Sequence, residues 1–70
     1  MNAAEIIKEA RARKGLSRKQ LADRSGVSQQ TIWKIENAKT NPTMDTMLAL
    51  MRAMDYDIVF KPKYKGGYYE

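Results

Sequence analysis

The chain has 70 residues, room for one small domain near the lower limit for a self-sufficient core, so its stability can lean on a partner subunit. It contains no cysteine and no histidine, which excludes disulfides and thiolate metal sites and removes the commonest general base; no metal, cofactor or catalytic residue is expected, and the chain is not expected to be an enzyme. A net charge of +5 and a sequence pI of about 9.7 suit a polyanionic partner, while the lack of an apolar run near ~20 residues or a signal-peptide pattern leads to the expectation of a soluble cytoplasmic protein with no membrane contact.

The spacing predicts a first helix from about Ala3 to Lys14, with Asn2 and Glu5 set as a cap, an apolar stripe of Ile6, Ile7 and Ala10, and Gly15 as its stop. Residues 17–37 then read SRKQLADRSGVSQQTIWKIEN. Ser17 and Gln20 have the S-x-x-Q spacing of a capping box, Leu21 and Ala22 face inward, and Ser25-Gly26-Val27 is a tight turn whose glycine can take positive φ. Ser28 caps a third helix that buries Ile32 and Ile35. Two short helices joined in this way form a helix-turn-helix, the arrangement that sets a recognition helix in the DNA major groove.

Residues 37–42 form a polar loop that stops at Pro42. Thr43 caps a fourth helix, Asp45 suits its positive start, and Met47, Leu48, Leu50, Met51 and Met54 give it a broad apolar face, with the methionines read as core filling. From Tyr56 the period changes. Tyr56, Ile58 and Phe60 alternate with Asp57, Val59 and Lys61, which reads as a strand. No second strand is evident, so Tyr56, Ile58, Val59 and Phe60 are expected to pair antiparallel with the same residues of a second copy; the alternative is an extended segment packed on its own helices. The expected organisation is all-α: a compact four-helix domain over 1–54, a dimerisation strand over 55–62 and a flexible tail over 63–70.

Projected at about 100° per residue, helix three sets Gln29, Gln30, Trp33 and Lys34 on one arc and Thr31, Ile32 and Ile35 on the other. The first set points away from the core, so these four are the expected base readers. A glutamine amide can serve N7 and the N6 amino group of adenine together, and Lys34 can reach a guanine edge or a phosphate. Trp33 has three destinations: thymine methyls, the sugar-phosphate wall, or its own domain. Ser17, Arg18, Lys19, Ser28, Asn37, Lys39 and Thr40 are the expected phosphate contacts, with Arg18 at a helix start where free amides also favour an anion. Arg11, Arg13 and Lys14 are ambiguous.

The pattern R-x-x-x-G-L-S-x-x-x-L-A-x-x-x-G-V-S-x-x-x-I-x-x-I-E-N, from Arg11 to Asn37, resembles the Cro/repressor-type helix-turn-helix family, also called XRE, and the match extends over roughly residues 5–54. The resemblance implies a lambda-repressor-like fold and a buried or semi-buried ion pair between Arg11 and Glu36. It also implies base reading by Gln29 and Gln30 with Lys34 one turn on, and phosphate contacts by Arg18 and Asn37. Where phage repressors have a fifth helix, this chain has the Tyr56–Phe60 segment, which looks more like the ending of HipB-type antitoxins, whose dimers join C-terminal strands. The expected function is a sequence-specific, homodimeric repressor of transcription that binds a palindromic double-stranded operator. The alternative is an antitoxin that binds a toxin protein and represses its own operon.

Overall fold

A computed structural model describes residues 2–63 as four helices: α1 (Ala3–Lys14), α2 (Arg18–Ser25), α3 (Gln29–Glu36) and α4 (Met44–Ala53). Every helix start carries a side-chain oxygen that accepts from a backbone amide three residues on: Asn2 from Glu5, Ser17 from Gln20, Ser28 from Thr31 and Thr43 from Thr46. In α2 the box is reciprocal, since the Gln20 side chain accepts the Ser17 amide at 2.8 Å. Such caps matter here because helices of eight to twelve residues are marginal on propensity alone. Gly15 and Gly26 end α1 and α2 at φ values of 67° and 77°, the left-handed conformation that glycine adopts without a Cβ penalty.

Helices α1 and α2 each pack against both α3 and α4. The core at their meeting point is Ile7, Ala10, Leu21, Ile32, Ile35, Leu50, Met51 and Met54, with Ala22 and Val27 packed at its edge. Met51 and Met54 thus fill apolar space, as unbranched side chains do well. The third helix presents a buried stripe, Ile32 and Ile35, and an opposite exposed one, so tertiary packing sets which of its residues remain free to touch anything else.

The helix ends of α3 and α4 differ from the first two. Ala38 has φ 56° and Asp55 φ 64°, and each sits in a Schellman-type turn: the Lys39 amide donates to the Lys34 carbonyl at 2.8 Å, and that of Tyr56 to Met51 at 2.9 Å. An alanine there bears a steric cost of about 1–2 kcal/mol that glycine avoids. Ala38→Gly is therefore expected to raise stability by about 0.5–1 kcal/mol after the glycine's extra unfolded-state entropy is subtracted. Urea denaturation followed by circular dichroism measures this, and a lower midpoint for the variant would contradict it.

The strand expected over Tyr56–Phe60 is not formed; among the described residues there is no strand. A strand exists only against another strand, and this chain supplies none. Instead Tyr56 and Ile58 pack on the core edge while Val59 and Phe60 stand 71% and 78% exposed. The tail expected over 63–70 lies, from Tyr64 onward, outside the described residues.

Candidate nucleic-acid interface

The site is built around a buried carboxylate. Glu36, on the inner side of the last turn of α3, has no exposed side-chain surface. Arg11 of α1 grips it with one edge of its guanidinium: Nε donates to Oε2 at 2.7 Å and Nη2 to Oε1 at 2.9 Å, while Nη1 donates to the Leu16 carbonyl at 2.9 Å. Arg18, at the first position of α2, adds a third donor, Nε to Oε1 at 3.0 Å. One carboxylate thus ties together three helices and holds two guanidinium groups, leaving a local excess of one positive charge. Burial alone pushes the Glu36 carboxyl upward, but the hydrogen bonds and charges of Arg11 and Arg18 together outweigh it and hold it below its ordinary value.

Outside this cluster lies an open cleft of about 550 Å³ between the starts of α2 and α3, lined by Arg11, Ser17, Arg18, Lys19, Gln29, Gln30 and Trp33. The fold therefore brings together three of the four expected base readers and three of the expected phosphate contacts. Gln29 and Gln30 are exposed, with amides free of any hydrogen bond to described residues. Trp33 is 45% exposed and lines the cleft wall, outside the buried core. Lys34 is exposed but is not part of the cleft lining.

Several expected phosphate ligands also have structural duties. The Ser17 hydroxyl caps α2, and that of Ser28 caps α3 while donating to Thr31 Oγ1 at 2.9 Å. Lys19 makes a surface pair with Asp23 at 3.3 Å, a weak one by exposure. Asn37 donates its side-chain amide to the Trp33 carbonyl at 2.9 Å and so closes the C-terminal end of α3. Lys39 and Thr40 are exposed in the following loop, away from the cleft. Arg18 changes most. Its Nε is committed to Glu36, which leaves its two Nη groups as donors for anything in the cleft. Residues 18 and 36 are unrelated by any helical spacing, so no periodicity signals this bond.

Comparison with known proteins shows the family of the chain. The helix-turn-helix family profile matches residues 7–61. The chain belongs to the helix-turn-helix family of XRE type. Curated relatives include an uncharacterised HTH-type transcriptional regulator of Haemophilus influenzae, 38% identical over 60 residues. Another of Sinorhizobium fredii is 33% identical over 57 residues, and a putative one of Methanocaldococcus jannaschii 34% over 55. The aligned regions cover 81%, 81% and 79% of this chain but only 61%, 29% and 17% of the respective relatives. No solved structure gives a significant match. Among the described residues no helix is long and apolar enough to cross a membrane, and no group of acidic side chains is arranged to hold a metal ion.

Proposed function

We propose that this chain is a DNA-binding regulator of transcription that acts as a homodimeric repressor, reading a palindromic operator through α3. The observation that carries the reading is the cleft itself: two free glutamine amides at the start of the recognition helix stand beside a cation-rich helix start with one charge in excess. Gln29 and Gln30 serve base edges, Trp33 lies along the thymine methyls or the sugar wall, and Lys34 reaches the next base or phosphate. The Nη groups of Arg18, with Ser17 and Lys19, hold the backbone on one side of the groove; Asn37, Lys39 and Thr40 hold it on the other. The names of the relatives support regulation of transcription. The exposed Val59 and Phe60 support self-association, since a single unit reads only a half-site. The antitoxin alternative has no separate observation in its favour.

Selection of binding sites from a random duplex pool, followed by a footprint, tests this reading. It should enrich an inverted repeat whose half-site centres lie about 34 Å apart. Failure to enrich any sequence would overturn it.

Arg18 gives a second check. Arg18→Ala is expected to weaken binding to all sequences alike and to lower the salt slope by about 1, because the lost contact is to phosphate. The cost in stability is expected to stay near 1 kcal/mol, since Arg11 still covers both Glu36 oxygens. Titrations at several salt concentrations on cognate and scrambled duplexes measure both effects, and selective loss on one sequence would contradict the assignment.

A further inference from the structure

Residues 55–63 read Asp-Tyr-Asp-Ile-Val-Phe-Lys-Pro-Lys, and the segment has two faces. Tyr56 and Ile58 pack against the core while Asp57 and Val59 are exposed, the alternation of an extended chain. Phe60, next on the Tyr56–Ile58 side, finds no cover. No backbone hydrogen bond joins residues 57–63 to another described residue, so the segment offers a row of open N–H and C=O groups.

We propose that this segment pairs antiparallel with the same segment of a second copy, in the single register centred on Val59. This rests on the homodimer reading above and adds the register that the side chains encode. In that register Asp57 lies opposite Lys61 of the partner subunit, and Lys61 opposite the partner's Asp57, with Val59 on the two-fold axis between them. Opposite charges directly across an antiparallel pair favour it, and like charges oppose it. Parallel pairing in register would set Asp57 against Asp57 and Lys61 against Lys61. Centring on Ile58 would put Asp57 against Val59, and centring on Phe60 would put Val59 against Lys61. A slip by an odd number would place odd residues opposite even ones and turn Phe60 to the wrong face.

The backbone fits this register and sets which of its pairs are hydrogen-bonded. Tyr56 falls opposite Pro62, and antiparallel ladders alternate hydrogen-bonded with non-hydrogen-bonded pairs. Pro62 has no N–H to give, and the Tyr56 N–H is already bonded to the Met51 carbonyl. Both residues therefore suit a non-hydrogen-bonded pair, and the ladder bonds fall to residues 57, 59 and 61, whose amides are open. Ile58 and Phe60 then also form a non-hydrogen-bonded pair, where side chains approach most closely, so Phe60 gains cover from Ile58 and Tyr56 of the partner subunit. Asp55 stays outside the ladder, held left-handed at the end of α4 and paired with Lys14 at 3.1 Å.

Charge reversal in the full chain tests this. Asp57→Lys and Lys61→Asp should each weaken self-association about tenfold at low salt, because two opposite-charge pairs become like-charge pairs. An equimolar mixture of the two variants should form a heterodimer as tight as the wild-type homodimer, and the double variant Asp57→Lys/Lys61→Asp should regain the homodimer. Sedimentation and native mass spectrometry read the species directly, and circular dichroism confirms that each variant folds. A wild-type dimer that both single reversals leave undiminished would overturn the register while the homodimer reading stands. A wild type that stays monomeric both free and on the selected operator would overturn the homodimer reading, and the register with it.

Discussion

Arg11→Ala is expected to lower the unfolding free energy by about 3 kcal/mol, the low end of the cost of stranding a buried charge, because Arg18 still donates to Glu36. The variant loses two bonds to a carboxylate with no exposed surface and a third to the Leu16 carbonyl. For a domain of this size that is a large share of a total of about 5 kcal/mol, and the midpoint of thermal unfolding should fall by about 15 °C. The loss should also depend on pH. The folded-state carboxyl of Glu36 lies below the ordinary 4.5, so its contribution is complete above that pH and fades as pH falls through the lower folded value. In Arg11→Ala, burial is opposed by Arg18 alone, the folded carboxyl rises, and protonation on acidification relieves the stranded charge. The stability gap between wild type and variant should therefore narrow as pH is lowered from neutral into the acid range. Urea titrations at pH 7 and pH 4 measure it. A gap under about 1 kcal/mol at neutral pH, or one unchanged by acid, would show that the pair is not the keystone of the three helices.

Gln29→Ala and Gln30→Ala are each expected to cost about 1–3 kcal/mol on the selected operator and little on scrambled DNA. The reason is geometric. Both side chains are exposed at the start of α3 and neither supports the core, so truncation should leave folding intact. Loss of a bidentate base contact removes discrimination at one position and leaves the phosphate contacts in place. Fluorescence anisotropy on matched and mismatched duplexes separates the two effects, and equal losses on both would show that these amides do not read bases.

Much of the fold was legible from local chemistry. The four caps, the two glycine stops and the inward residues of α2 and α3 are each dictated by neighbours within a few positions, and the structure places them where the spacing puts them. The strand is not formed within the single chain. Period-two alternation of burial holds from Tyr56 to Val59, where Tyr56 and Ile58 are partly buried and Asp57 and Val59 exposed, and ends at the exposed Phe60; alternation describes an extended chain and does not supply the second strand that would make a ladder. The left-handed Ala38 was also hidden, because an alanine at a helix end carries no turn signal.

The sequence by itself determined the helices, their ends and the motif of two helices about a glycine turn, because capping, period and turn chemistry act over three or four residues. It also carried the family pattern in which Arg11 answers Glu36. Only the tertiary structure decided that Arg18 shares that carboxylate and that Trp33 stands on a cleft wall. It alone set Gln29 and Gln30 beside the cationic start of α2. Those arrangements depend on how α1, α2 and α3 cross, and a buried charge gathers partners from whatever elements the core brings within reach.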